Sequence, residues 1–467
     1  MFTDFLVLID DTLWSWPLII LILACGIWLT FRVRLLQVRH LGKALKYMVQ
    51  NEEDGEGEVT SLGALCTALS ATIGTGNIVG VASAIAAGGP GALLWMEVAA
   101  FFGMATKYAE GLLAVKYRTI DKDGHVLGGP FYYIENGMGQ NWKWLAKLFA
   151  LFGVLAGLLG IGTITQINGI TSAAQNFFDP NMSRVMFSIG DTPITLTTMI
   201  VGLIVTVCVA LVVIGGIQRI SKVSEIVVPF MAIVYVICGL LILVCNASAI
   251  PNAFYQIIAG AFNPQAVAGG IVGITIKTAL QKGVARGIFS NEAGLGSAPI
   301  AAAAAQTKDP VRQGLVTMTG TFIDTIIVCT MTGLAIVISG AWAPELGLEG
   351  ASITMYAFEH ALPFPAAVSN FLLMICLVFF AFTTILGWDY YAERCLEYLS
   401  NRNMALVKAF RWLYIAAVFV GPYLTVKAVW TIADIFNGLM AIPNIVALLA
   451  LSGIVAKETA EFNKRLK

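Results

Sequence analysis

Apolar positions along this chain come in long runs separated by short polar stretches, and run length decides how they are read. A helix rises about 1.5 Å per residue, so about 20 consecutive apolar residues match the hydrocarbon thickness of a bilayer. Runs of that size fall near 14–31, 62–89, 91–115, 146–176, 195–217, 223–246, 268–304, 312–340, 366–392, 408–428 and 430–456. The pattern predicts eleven transmembrane helices. No segment shows the alternation of apolar and polar residues over about ten positions that marks a membrane β-barrel. The expected fold class is an all-α polytopic membrane protein.

Two of the runs are poor lipid-facing helices. Ala71 to Gly80 carries glycines at 74, 76 and 80, with Thr72, Thr75 and Asn77 among them and Ser70 just before. Glycine loosens the backbone, and Ser, Thr and Asn side chains compete for its hydrogen bonds. The seventh run holds Arg286, a Ser290-Asn291-Glu292 cluster, Gly294, Gly296 and Pro299, which do not sit together in one continuous lipid-facing helix. Unwound backbone at membrane depth is tolerated only against protein or a water-filled cavity. Both spans are therefore expected to be broken. With the first span set aside, the broken spans open two groups of five, and five crossings invert the second group relative to the first. Broken segments at corresponding positions of inverted halves point to a transporter binding site. The plainer alternatives are a Gly-rich helix packed closely on its neighbours and two unrelated kinks. The organisation expected is an N-terminal span and linker (1–60), a first five-helix repeat (61–250), an inverted second repeat (251–456) and a tail (457–467).

Composition agrees with this placement. The 467 residues are 58% hydrophobic and 12% charged, with a mean hydropathy of +0.81, against about 25% charged residues in soluble chains. Zero formal net charge gives no reason to expect a nucleic-acid partner. The eight cysteines are scattered without a CxxC pair and there are only three histidines, so neither a disulfide framework nor a zinc site is supported. Asp4, Asp10 and Asp11 precede the first run, where a cleavable signal would carry positive charge.

Lys and Arg follow the odd-numbered spans from the first (Arg32, Arg34, Arg39, Lys43, Lys46) to the tail, while the other side has only Arg184 and Lys427. Positive loops stay in the cytoplasm. A plasma-membrane protein (inner membrane in a Gram-negative cell) follows, with its N-terminus outside and C-terminus in the cytoplasm. Glu52–Glu58 reads as a solvated acidic linker, Thr119–Trp144 as a cytoplasmic loop, and Ala253–Ala261 as a short interfacial helix outside. No TVGYG-like or acid-ring pattern suggests a channel. No nucleophile–base pair or HExxH motif suggests an intramembrane enzyme.

The runs Gly74-Thr75-Gly76-Asn77-Ile78, Phe289 to Pro299 and Phe322-Ile323-Asp324-Thr325 resemble the alanine-or-glycine:cation symporter family, and the resemblance covers nearly the whole chain. It implies a sodium-coupled importer of small neutral amino acids. The fold implied is one extra N-terminal helix plus the five-plus-five inverted repeat shared with neurotransmitter:sodium symporters and the APC superfamily. Proton coupling through Asp324 or Glu292, or another substrate such as glutamine or serine, stays open, as does oligomeric state.

An amino acid needs partners for its carboxylate, its ammonium and its side chain. Thr72, Gly74, Thr75 and Gly76 line the first break, where backbone N–H groups at a half-helix N-terminus suit a carboxylate. Asn77 either braces that break or touches the ligand. Carbonyls of Gly287, Ile288 and Phe289, or the Ser290 hydroxyl, would receive the ammonium. Thr163, Gln166 and Asn168 lie in the fourth span. In the related fold that helix lines the pocket, which assigns Gln166 and Asn168 to substrate, with interhelical hydrogen bonding as the alternative. Sodium, a hard cation, wants neutral oxygens, by analogy with calcium and magnesium. The resemblance places Thr383 and Thr384 beside carbonyls near Ser70 and Ile73 for that ion; the rival is hydroxyls bonded to their own helix. Trp388, one turn beyond Thr384, would cap the pocket and admit only small side chains. Asp324 is a sodium ligand, a gate, or a structural partner of Arg286. Glu292 is read as tying the broken ends together, and Asp389 and Glu393 as partners of Arg394.

Overall fold

The computed structural model describes residues 2–14, 16–50, 52, 55–189, 192–263, 275–424 and 426–465. Among these, eight helices are long and apolar enough to cross a membrane, or nine if a bent pair counts as one span. The chain begins with α1 (Phe2–Leu13) and α2 (Trp16–Arg32). The bent pair follows: α3 (Ser61–Thr72), a π-helical turn at Gly76–Gly80, and α4 (Val81–Gly88), with 50° between its halves. The Thr60 hydroxyl caps α3 by accepting from Gly63 N at 2.9 Å, the role short oxygen side chains fill at helix starts.

Next come α5 (Gly91–Lys116), α6 (Lys143–Leu159), α7 (Ile164–Phe178), α8 (Leu196–Val213), α9 (Gly216–Cys245) and the shorter α10 (Ile250–Phe262). The start of the seventh predicted run, 268–274, lies outside the described residues. Its remainder forms α11 (Ile276–Asn291) and α12 (Ala298–Ala303). The eighth run is α13 (Pro310–Thr321), a π-helical stretch at Phe322–Cys329, and α14 (Thr330–Ser339). After α15 (Ala351–Ala361), the chain closes with α16 (Ala366–Leu399), α17 (Met404–Val420) and α18 (Val426–Arg465).

Burial sorts these helices into an inner and an outer layer. The apolar window of α5 is 83% buried within the protein, that of α8 only 28%. At the centre small residues let backbones approach, as membrane interfaces favour. A Cβ on Gly111 of α5 would stand 2.4 Å from Thr317 Oγ1, and one on Gly314 of α13 would stand 2.7 Å from the Tyr108 carbonyl oxygen.

Two expectations need correction. The Thr119–Trp144 segment is not a plain loop. It forms an antiparallel hairpin, β1 (Thr119–Ile120) with β2 (Val126–Leu127), then helical turns from Pro130. A second hairpin, β3 (Val185–Ile189) with β4 (Thr192–Thr195), precedes α8. The fourth run is not one helix: α6 ends at Leu159 and α7 starts at Ile164. Glycine is needed at this third interruption, because a Cβ on Gly162 would stand 2.6 Å from Trp388 Cβ.

Candidate functional site

At the first break the regular ladder stops when Ile73 N donates to Leu69 O at 2.8 Å and Ile73 turns to an extended conformation, ψ 93°. The backbone groups that follow find side chains instead. Gly74 N donates to Asn77 Oδ1 at 2.9 Å, and Thr75 N donates to Gln166 Oε1 at 3.1 Å. The N–H groups expected to be open for a carboxylate at Gly74 and Thr75 are thus occupied in this conformation. The Thr75 hydroxyl is buried and has no hydrogen-bond partner among the described residues. Thr72 donates its hydroxyl to Leu69 O at 3.3 Å, within its own helix.

Gln166 joins two interruptions. Its Nε2 donates to Ile161 O, in the α6–α7 break, at 2.9 Å, while Oε1 serves the first break. Asn168 does not reach this place. Two residues further along a helix points to the other side, and Asn168 Nδ2 donates to Leu424 O at 3.3 Å, beside a cleft of about 240 Å³ shared with Thr171 and Gln175. Thr163 Oγ1 donates back to Leu158 O at 2.7 Å.

The ninth predicted span, α16, lies across the first break. Thr384 Oγ1 is 3.3 Å from Ile73 O and 3.0 Å from Phe380 O. A Cβ on Gly74 would stand 2.5 Å from Thr384 Oγ1 and 3.0 Å from Gln166 Oε1, so the absence of a side chain at Gly74 is what allows the approach. The two threonines do not act as a pair here. Thr383 Oγ1 donates to Phe379 O or Phe380 O at 3.0 Å and lies 3.6 Å from Met231 Sδ, a turn of about 100° from Thr384. Ser70 Oγ donates to Thr67 O at 2.7 Å.

The second break falls later than expected. α11 stays helical through Gly287, Ile288 and Phe289 to Asn291, and Ile288 O accepts from Glu292 N at 2.8 Å. The carbonyls expected to be freed at 287–289 are therefore still at the helix end, not in the unwound stretch. The chain then turns through positive φ at Glu292 (57°), Gly294 (91°) and Gly296 (81°). Glu292 ties the ends together: it accepts from the Ser297 hydroxyl and from Trp388 Nε1 at 2.8 Å. Trp388, fully buried, is thus held between this break and the glycines of the α6–α7 break.

Residues missed in the sequence complete the brace. Glu110 Oε1 accepts from Gly294 N at 3.1 Å and from Asn444 Nδ2 at 2.7 Å. Asn444 Nδ2 also donates to Gly294 O at 2.9 Å, and the Tyr133 hydroxyl donates to Asn444 Oδ1. A carboxylate inside an apolar run is costly unless paired, so Glu110 was the one available signal.

Asp324 stands between the breaks. Its carboxylate accepts from Asn77 Nδ2 at 2.7 Å, Ser290 Oγ at 2.9 Å and Thr325 Oγ1 at 2.7 Å. The first break touches the end of α11, just before the second: a Cβ on Gly76 would stand 3.2 Å from Ser290 Cα and 3.3 Å from Phe289 Cδ1. Arg286 is not the partner of Asp324. It pairs with Asp434 through two contacts of 3.1 and 2.7 Å, and its guanidinium lies 5.5 Å from the Phe289 ring and 5.2 Å from Trp430.

At the end of the bundle carrying the basic loops, a second set of charges surrounds a cleft of about 490 Å³. Glu393 pairs with Arg411 at 2.6 Å rather than with Arg394. Arg394 holds Glu397 at 2.7 Å and Glu58 at 3.4 Å. Asp389 oxygens have no hydrogen-bond partner among the described residues, so this acid is not an Arg394 partner either. His125 of the β1–β2 hairpin meets Glu397 at 2.8 Å and Glu58 at 2.9 Å. Those two bonds raise its pKa from 6.5 to about 9.

Comparison with known proteins adds the following. The model of the sodium:alanine symporter family matches residues 1–467. An uncharacterised transporter of Haemophilus influenzae is 52% identical over 98% of this chain and 96% of its own length. The sodium/alanine symporter AgcS of Methanococcus maripaludis is 46% identical, covering 98% and 96%. A probable sodium/glutamine symporter, GlnT, of Bacillus subtilis is 34% identical, covering 98% and 90%. Among solved structures, MhsT in complex with L-phenylalanine superposes with a TM-score of 0.51 at 13% identity, covering 86% of this chain and 98% of that one; this likeness concerns the fold alone.

Proposed function

We propose, from the premise that this chain belongs to the sodium:alanine symporter family, that it imports alanine or glycine together with sodium by alternating access. Family membership makes the chain a multi-pass membrane transporter. The finer reading rests on one observation above the others: two interrupted spans meet at Gly76 and Ser290, with Asp324 accepting from both sides.

In this reading the bilayer holds eleven spans, with the N-terminus outside and the C-terminus in the cytoplasm. An N-terminal helix precedes two inverted five-helix repeats, 61–250 and 251–456. The substrate carboxylate takes Thr75 N, Gly76 N and the Thr75 hydroxyl, displacing the Gln166 amide that now accepts from Thr75. The ammonium faces Ser290 and the negative end of α11, whose last carbonyls are those of Phe289 to Asn291. Trp388 closes the floor and limits the side chain. Sodium sits where the Ile73 carbonyl and the Thr384 hydroxyl converge at 3.3 Å, near Ser70. Asp324 links the breaks, so that an ion at one changes the geometry of the other. The Arg286–Asp434 pair, with Phe289 and Trp430, closes the outer side, and the His125 cluster closes the inner side. Coupling requires that each ligand raise the affinity of the other by the same factor.

The test is uptake by the purified chain in proteoliposomes. An inward sodium gradient is expected to drive accumulation of alanine or glycine, and Thr384→Ala is expected to remove the sodium dependence. Equal uptake on a pH gradient without sodium rejects sodium as the coupling ion. The 34% identity to a probable sodium/glutamine symporter supports a second reading, in which glutamine is preferred; glutamine outcompeting alanine decides for it.

A further inference from the structure

We infer that Asn437, on α18, is a further polar contact of the amino-acid site, its side-chain amide pairing with the zwitterionic head of the substrate. The inference rests on the transport reading above. Its placement follows from the residues on either side. α18 presents one stripe to the second broken span. Trp430 lies 5.0 Å from the Phe289 ring, Asp434 holds Arg286 at 2.7 Å, and Asn444 reaches Gly294 O at 2.9 Å. At 3.6 residues per turn, positions 430, 434, 437, 441 and 444 fall within about 40° of a single line. One flank faces elsewhere: a Cβ on Gly438 would be 2.6 Å from Leu13 Cδ2. Ala433, one turn before Asn437, lies with its Cα 3.1 Å from where a Cβ on Gly160 of the α6–α7 break would stand.

The level along the bundle is set by the same contacts. Asp434 meets Arg286 and Asn444 meets Gly294, so Asn437, about 4.5 Å below Asp434 along the axis, stands near the height of Phe289 and Ser290. Those are the residues against Gly76.

Asn437 is fully buried, and neither its Oδ1 nor its Nδ2 has a hydrogen-bond partner among the described residues. Asp434 and Asn444 on the same stripe are both paired. A buried amide with both ends unpaired is unfavourable, and buried polar groups are as a rule satisfied. The group that satisfies it must offer an acceptor to the NH2 and a donor to the carbonyl oxygen. Sodium supplies neither donor nor acceptor and would leave the NH2 unpaired. An α-amino acid supplies both, through its carboxylate and its ammonium.

The experiment uses the full chain with Asn437→Leu and Asn437→Asp. Sodium-driven alanine uptake is measured in proteoliposomes, thermal melting in detergent with and without alanine, and competition by alanine against L-alaninamide, which lacks the carboxylate. Asn437→Leu is expected to melt no lower than wild type in the absence of alanine, because it removes an unpaired polar group. It should also lose the alanine-induced shift and raise KM about tenfold, the size of one hydrogen bond at about 1.4 kcal/mol per decade. Asn437→Asp places a charge against the carboxylate and should shift the competition ratio toward alaninamide. An unchanged KM and an unchanged alanine shift in Asn437→Leu overturn the inference, as does a lower melting temperature with an unchanged KM, the mark of a structural amide. If Asn437→Leu does not fold, an alanine-to-alaninamide ratio in Asn437→Asp equal to that of wild type overturns it. Wild-type protein that takes up no alanine would instead reject the transport reading itself.

Discussion

The two broken spans are held open by different chemistry. At the first, neutral groups reach single backbone atoms: Asn77 takes Gly74 N, Gln166 takes Thr75 N, and Thr384 approaches Ile73 O. At the second, carboxylates do the holding, with Glu110 on Gly294 N and Glu292 on Ser297 and Trp388. An amide or hydroxyl can leave a backbone atom at the cost of one neutral hydrogen bond, of order 1 kcal/mol. Withdrawing a buried carboxylate from its donors costs more, because the uncompensated charge stays in the interior. On the transport reading proposed above, the first break is the side suited to exchanging partners when ligand arrives, and the second is the firmer strut.

The glycines make the sharpest break in that comparison. Gly74 is a glycine because Thr384 and Gln166 come within 2.5 and 3.0 Å of where a Cβ would stand. Gly294 has open room, its nearest neighbour at 3.7 Å, but its φ is +91°. Gly74→Ala is expected to abolish uptake by pushing both partners off the break. Gly294→Ala should cost only the strain of a left-handed residue, about 1–2 kcal/mol, seen as a lower melting temperature with transport retained. Uptake and melting of both variants check this; equal losses of transport would mean that the breaks are not distinct.

How much of this was readable beforehand follows from what each residue needs. Gly74 to Asn77 and Ser290 to Gly296 stand out because Gly, Ser, Thr and Asn inside an apolar run have no use on a lipid-facing helix. The α6–α7 break escaped because Gly160 and Gly162 sit among leucines and isoleucines, where hydropathy alone reads a continuous span. Partners far apart in sequence were out of reach: Asp434 is 148 residues from Arg286, and Asn444 is 334 from Glu110. Asn168 and Gln166 were read together, although helix periodicity sets them about 200° apart and the Asn168 amide turns to Leu424 O.

The next test sharpens the link between the breaks. Asn77 Nδ2 donates to Asp324 at 2.7 Å, so Asn77→Asp sets two carboxylates against each other in the interior. Uptake is expected to fall about 10–100-fold, corresponding to about 1.4–2.8 kcal/mol. Asp324→Asn leaves Asn77, Ser290 and Thr325 facing an amide in place of their shared acceptor, and should lose a similar amount. The exchange Asn77→Asp with Asp324→Asn restores one donor and one acceptor across the contact. Recovery of part of the activity, as a double-mutant cycle in uptake, is expected; strictly additive losses would mean that Asp324 does not join the breaks.

The smallest effect separates the breaks from the basic end of the bundle. His125 is held protonated chiefly by Glu397 and then by Glu58, which raise its pKa from 6.5 to about 9 against partial burial and the Arg394 charge. Asp121 on its own hairpin is occupied by Arg402 at 2.8 Å. A raised folded-state pKa contributes stability that is fully present below about 6.5 and is lost as pH rises through about 9. The melting temperature of wild type in detergent should therefore decline across that window, while His125→Gln starts lower and loses this part of the decline. The slope must vanish with His125 if the neutral stitches of the first break and the carboxylate strut of the second both keep their protonation there. A slope that persists in His125→Gln would place the titration among the carboxylates that hold the breaks, Glu110 and Glu292 at the second and Asp324 between the two.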